Sequence, residues 1–268
     1  MTQKTIGVVG CGSLGTLIAT GISTRLSDRY SLVGVCDASV DRSQTLACSL
    51  NCAAYCDIEN LIGGNPPDYI IEAAGGAFLK KHAINILHAG CDLLVLSVGV
   101  FADEYFYREV KETAERLERK VHIPSGAIGG FDLIRSAVWQ GALKASISNV
   151  KPPGSLEGAP FLQGKKLSTT QEEQIYSGSA RTAIELFPNN VNVAVALALA
   201  ASNIDSVNVS VVSAPNLTLN THVVFLEGEF GNAKLEIASV PYDNASSSAL
   251  AAYSVLAKLE NLSSAIQF

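Results

Sequence analysis

The chain has 268 residues, 48% of them hydrophobic and 16% charged, which suits one large domain or two modest ones and rules out a disordered chain. Its formal net charge of −6, with no basic cluster, argues against a nucleic-acid-binding surface. Residues 6–22 carry no charge, but five glycines and the lack of a preceding basic region favour a buried strand and turn over a signal or membrane segment.

Residues 6–9 form a short apolar run that reads as a buried strand. Gly10, Gly12 and Gly15 follow as G-x-G-x-x-G, and Ser13 and Leu14 open a helical stretch. In this arrangement the first glycine allows the tight turn. The second lets a pyrophosphate approach the backbone, and the third lets helix and strand pack closely. The helix N–H groups and positive dipole end face the phosphates. Residues 30–37 are a second strand ending in Asp37, in the window about 20 residues on where an acid meets the adenosine ribose. A turn with coincidental glycines would leave that succession unexplained. The stretch therefore predicts a dinucleotide site formed by Gly10, Gly12, Ser13, Leu14, Gly15 and Asp37. Asp37 repels a 2′-phosphate and favours NAD, and nearby Arg42 weakens that preference and keeps NADP possible.

Further along, 41–50 is helical, Pro66-Pro67 breaks the chain, and 68–75 is a strand ending in small residues. Those small residues serve a cofactor lying on the backbone or ordinary helix–strand packing. A helix over 79–89 stops at Gly90, and 92–99 is a buried strand. An amphipathic helix covers 104–119, and a short strand covers 120–124. The alternation predicts a doubly wound parallel sheet. His82, His88 and His122 fall in these elements, with solvated or capping roles expected. Cys48, Cys52 and Cys56 lack the C-x-x-C spacing of a zinc or redox site, so no metal is predicted. Together with Cys11, Cys36 and Cys91 they are expected to be core thiols of a reducing compartment, and the chain is expected to be cytoplasmic.

The glycine-rich turn at 125–130 marks a change of domain at the end of a parallel strand, where ligands gather. A helix over 132–144 carries Trp139, expected in the core. Segments 146–150, 207–212, 219–226 and 233–240 are β-rich, with Gly231-Asn232 as a hairpin turn and 191–201 as a buried helix. The fold class is α/β, a Rossmann-type doubly wound parallel sheet with a second α+β domain on a mainly antiparallel sheet. The first domain is 1–125, with the terminal helix of 245–268 packing back on it, and 126–244 binds substrate and dimerises. An open antiparallel sheet face needs a partner, so a homodimer is expected.

Asn220 and His222 alternate onto one strand face, where an imidazole can move protons near neutral pH, although a lone strand histidine also fits a structural role. The loop 187–194, with Pro188, Asn189 and Asn190, feeds a helix N-terminus and offers amides to a ligand or simply a cap.

In chain order the sequence contains Pro124-Ser125-Gly126-Ala127-Ile128-Gly129-Gly130, Lys151-Pro152-Pro153, Ser177-Gly178-Ser179-Ala180-Arg181, Phe187-Pro188-Asn189-Asn190-Val191-Asn192-Val193-Ala194 and Asn220-Thr221-His222. With the amino-terminal glycines, these motifs resemble the L-aspartate dehydrogenase family over nearly the whole chain. The resemblance implies that His222 is the active-site histidine and that Ala127 and Asn192 contact the nicotinamide cofactor. It also implies oxidation of L-aspartate to iminoaspartate with NAD or NADP. The imine then yields oxaloacetate and ammonia or feeds NAD biosynthesis. The family's aspartate before a proline is here Ala214, and its asparagine-proline-lysine-threonine-serine segment is replaced at 242–246. Both departures bear on substrate orientation.

The expected chemistry is hydride transfer from the substrate Cα to the nicotinamide, with His222 as general base. A dicarboxylate also needs cations. Arg181 and Lys151 are candidates, with a surface ion pair as the other reading of each, and Asn220 is a candidate substrate contact. The rival readings are a dehydrogenase of another small amino or keto acid and a non-catalytic cofactor-binding protein.

Overall fold

The structure is a computed structural model that describes residues 3–187, 192–203, 207–242 and 248–268. The chain divides into two units, Met1–Pro124 with Ala251–Phe268, and Ser125–Leu250.

The first unit runs β1 (Lys4–Val9), α1 (Ser13–Arg25), β2 (Tyr30–Cys36), α2 (Val40–Leu50), β3 (Ala53–Tyr55), α3 (Ile58–Ile62), β4 (Tyr69–Glu72), α4 (Gly76–His88), β5 (Asp92–Val95), α5 (Glu104–Arg116) and β6 (Val121–His122). Its six strands lie in the order β3-β2-β1-β4-β5-β6, and every pair is parallel. Ile6 and Val8 of β1 and Ile70 and Ile71 of β4 have no exposed surface. A sheet covered on both faces explains why these strands read as continuous apolar runs instead of alternating ones. The strand order reverses between β1 and β4, and in such sheets the crevice at that switch point binds nucleotides.

Local differences from the sequence reading have simple causes. The three-residue β3 and five-residue α3 are too short to show a period. The apolar run from Asp92 is strand only to Val95, after which Val98–Ala102 forms a 3-10 turn. Cys11, Cys36 and Cys91 are buried, whereas Cys48 and Cys56 are exposed and the half-buried Cys52 packs against the edge of the core, so two of the spaced triple lie outside it. The triple flanks β3 at the sheet edge, where there is little core to enter.

The second unit contains α6 (Phe131–Gln140), β7 (Leu143–Lys151), β8 (Glu173–Ser179), α7 (Ala180–Leu186), α8 (Asn192–Ala200), β9 (Val207–Ser213), β10 (Asn220–Gly228) and β11 (Gly231–Ser239). Its sheet order is β11-β10-β7-β9-β8. The β7–β9 pair is parallel and the other pairs are antiparallel. One face carries Ile147, Val209, Val211, Val224 and Leu226, packed with Ile134 of α6, Ala183 of α7 and Leu197 of α8. The very apolar α8 is buried through Ala194–Ala198.

Trp139 is 89% exposed, contrary to its expected place in the core. The buried stripe of α6 is Ile134 and Ala137, and Trp139 projects away from it. The same helix ends at Gln140, because Gly141 (φ +152°) stops it and β7 begins at Leu143. The hairpin turn is Glu229-Phe230, since Gly228 pairs with Gly231, so Gly231-Asn232 belongs to β11. The expected loop at 188–191 and the replaced segment at 243–246 lie outside the described residues.

The last helix, α9 (Ala249–Ser263), buries Ala252, Val255, Leu256 and Leu259 in the core of the first unit. The Tyr30 hydroxyl donates to the Leu259 carbonyl at 2.8 Å. No helix among the described residues is long and apolar enough to cross a membrane.

Candidate active site

The turn after β1 shows why three glycines are spaced as they are. Gly10 has φ +95°, and a Cβ there would run into the Ala73 carbonyl. One on Gly15 would run into the Gly10 carbonyl, while one on Gly12 would meet nothing within 4 Å. Two of the glycines are therefore required by packing, and the third leaves open space at the start of α1. Gly12 at the N-cap offers α1 no side-chain cap, and the first turn, with Ser13 and Leu14, holds no acid. The partial positive charge of that helix end has no acid of its own first turn beside it.

Asp37 follows β2 at the same edge of the sheet and is 8% exposed. Its carboxylate accepts from the Cys11 N–H at 2.8 Å and from the Ser39 N–H at 2.8 Å. Arg42 places its guanidinium 3.2 Å away. The acid is locked to the glycine turn, as ribose recognition requires, and a cation stands beside it. Open space over Gly12, a helix N-terminus beside it and a fixed acid together fit a dinucleotide.

Sequence reasoning missed Glu72. It ends β4, has no exposed surface, and accepts from the N–H groups of Ala74 (2.9 Å), Gly75 (2.7 Å) and Ser97 (3.0 Å) and from the Ser97 hydroxyl (2.9 Å). It ties the turn after β4 to the end of β5, next to the glycine turn through Ala73. A charge inside an otherwise apolar strand was the available signal.

In the second unit, strand register assembles a polar cluster at one end of the apolar sheet face. His222 of β10 lies opposite Asn149 of β7, and Lys151 of β7 lies beside Ser213 of β9. Asn220 faces Ser239 of β11. Asn149, Lys151, Ser213, Asn220, His222 and Ser239 are all buried. The Nδ1 atom of His222 is 2.7 Å from the Asn149 Oδ1. Burial pushes the Lys151 ammonium down to about 8. Burial, and after it the positive charge of Lys151, pushes the His222 imidazole down to about 3, so the ring stands neutral at physiological pH.

Lys151 and Arg181, equal as candidates in the sequence, are separated by the fold. Lys151 joins the His222 cluster, buried and not on the surface. Arg181 sits on α7 after the edge strand β8, which is three places from β10 in the sheet, roughly 14 Å at strand spacing. Ala127 is buried in the turn whose Gly126, Gly129 and Gly130 all have positive φ, and Asn192 opens α8. His82, His88 and His122 belong to the first unit; His82 lies 3.3 Å from Glu59, His88 is exposed and His122 is half-buried. Among the described residues no group of three His, Cys, Asp or Glu side chains could hold a metal.

A parallel sheet in this strand order, with its glycine turn and locked acid, defines an NAD-binding domain of the dehydrogenase type. Residues 10–124 match the model of the homoserine dehydrogenase NAD-binding domain, and residues 132–262 match that of the aspartate dehydrogenase C-terminal domain. The chain is 35% identical over 268 residues to the L-aspartate dehydrogenase of Methanosarcina mazei, covering 98% of each chain. It is 31% identical over 264 residues to that of Methanococcus maripaludis, again covering 98% of each. The crystal structure of aspartate dehydrogenase from Thermotoga maritima superposes over 100% of both chains with a TM-score of 0.77 at 25% identity. The chain belongs to the L-aspartate dehydrogenase family.

Proposed function

We propose that the chain oxidises L-aspartate to iminoaspartate with NAD, that NADP is a second cofactor, and that His222 is the proton acceptor. The observation that carries this reading is the buried cluster of His222, Asn149 and Lys151 in a chain akin over its full length to L-aspartate dehydrogenases. The nicotinamide, when bound, supplies a hydride acceptor for the substrate Cα. His222 takes the proton released from the substrate ammonium, or from the water that attacks the imine to give oxaloacetate and ammonia. A neutral ring is ready to accept that proton. A dicarboxylate held against Lys151 opposes its positive charge and raises the proton affinity of both groups. Lys151 and Asn220 are the substrate contacts this reading favours over Arg181. Gly10, Gly12, Ser13, Leu14, Gly15 and Asp37 hold the dinucleotide, and Ala127 and Asn192 contact its nicotinamide side.

The test is NADH formation from L-aspartate, run in parallel with NADP and with the Arg42→Ala variant. The wild type is expected to use both cofactors, and the variant to lose most of its kcat/KM with NADP while keeping that with NAD. Turnover of another amino acid but not aspartate would favour the rival dehydrogenase. NADH binding without turnover of any amino acid would favour the non-catalytic one.

The open face of the second sheet bears Ser146, Ser148, Val150, Val223 and Phe225, the last 48% exposed. We assign it to the contact of a homodimer, because this patch of small and apolar residues, edged by the Lys234–Glu236 ion pair, gains by pairing with its own copy. Sedimentation equilibrium is expected to give the mass of two chains, and a single-chain mass at micromolar concentration overturns this. The cytoplasm suits a chain whose cysteines are all free among the described residues, Cys48 and Cys56 of them exposed.

A further inference from the structure

We propose that Asn149 is the positioning residue of His222: its amide oxygen accepts from Nδ1–H, which fixes one tautomer and leaves Nε2 as the proton acceptor. This rests on the catalytic reading of His222 and goes beyond it to the group that makes the ring a base. Three observations support it.

First, the contact is short and buried. Asn149 has no exposed surface, His222 is 4% exposed, and Nδ1 and Oδ1 are 2.7 Å apart. A neutral imidazole has one N–H and one lone pair, and the hydrogen bond made by one nitrogen decides which it carries. With water excluded, the asparagine oxygen makes that decision. Second, the two residues are directly opposite each other on adjacent strands. Ladder hydrogen bonds on both sides hold that register, so ring and amide are presented by rigid elements and not by loops. Third, Asn149 is not explained by stability alone. Its Nδ2 is buried with no partner, an unsatisfied donor that an apolar residue of the same size would remove. A core position that keeps such a group, and turns its other half to a histidine, is serving the histidine.

The electrostatic surroundings agree. Lys151 is the charged group that acts on the ring among the described residues. The neighbouring positions on this sheet face are the uncharged Asn220, Ser213, Ile237 and Ser239. No carboxylate among these positions holds Nδ1, so the ring is oriented without being turned into an imidazolium.

The experiment combines imidazole nitrogen NMR with kinetics on the full chain. With four histidines in the chain, the His222 signals are assigned by their loss in His222→Gln. The wild type is expected to carry its proton on Nδ1 near neutral pH. Asn149→Leu is expected to move it to Nε2 or to a mixture, and to lower kcat about 10- to 100-fold while the KM for NAD changes less than about twofold. Asn149→Asp keeps an acceptor facing Nδ1. It is expected to recover most of kcat and to move the acid limb of the pH–rate profile upward, because a carboxylate there favours the charged ring. An Nε2–H tautomer in the wild type overturns the proposal. So does an unmoved tautomer in Asn149→Leu, or an unchanged kcat once the tautomer has moved. Turnover surviving in His222→Gln would overturn the catalytic reading instead, and the tautomer measurement stands apart from it.

Discussion

Replacing His222 with alanine is expected to lower turnover of L-aspartate by about 10²–10⁴-fold, the usual range for loss of a positioned general base. Dissociation constants for NAD and NADH should stay within about threefold of wild type. The two effects separate because His222 belongs to the second unit, whereas the glycine turn and Asp37 belong to the first. Truncating a buried side chain also costs stability, so the comparison is made well below the melting temperature of the variant. His222→Gln is the companion, since it fills the space and can still hydrogen-bond Asn149 but cannot accept a proton near neutral pH. Stopped-flow reduction of NAD and fluorescence titration of NADH give the two numbers. If either variant turns over within threefold of wild type, the imidazole is not in the mechanism.

Glu72→Leu is the second change with a large expected effect, and it acts on the fold first. Four donors converge on that carboxylate, and the substitution leaves the buried Ser97 N–H and hydroxyl without an acceptor, while the part-buried Ala74 and Gly75 N–H groups can turn to water. Each such group costs about 1–3 kcal/mol when it cannot reach water, and local relaxation recovers part of the sum. A net loss of about 3 kcal/mol corresponds to a fall in Tm of about 6–12 °C for a domain of this size. NADH affinity should fall with it, because the turn from Ala73 to Gly75 abuts Gly10. Glu72→Gln is expected to be intermediate, since its amide offers one acceptor and turns a donor toward other donors. Differential scanning calorimetry with and without NADH reads both effects. A Glu72→Leu chain melting within 2 °C of wild type and binding NADH normally would show that Glu72 anchors nothing.

The dinucleotide half was legible because its signals are local. Gly10, Gly12 and Gly15 sit within one turn, and Asp37 follows at the end of the next strand, so spacing alone carries the geometry. The same locality explains the errors. Residue type places Trp139 in the core, but the face of α6 that is buried is set by what packs on Ile134 and Ala137. Turn chemistry places the hairpin one dipeptide late because glycine stands on both flanks of Glu229-Phe230, and only the pairing of Gly228 with Gly231 tells which glycine ends the strand. His222 was noticed from its motif, but nothing near it in sequence named its partner.

From composition, period and spacing alone, the chain determined its class: a glycine turn between strand and helix, an acid for the ribose, alternating elements for a parallel sheet, and a β-rich second half. Those features depend on residues close together in the chain, where backbone geometry leaves few choices. Tertiary structure alone decided that Asn149 meets His222 across 73 residues, that Lys151 is buried at that strand end, and that Glu72 reaches Ser97. Strand order and register are set by the burial of whole sheet faces, a sum over distant segments that no short stretch contains.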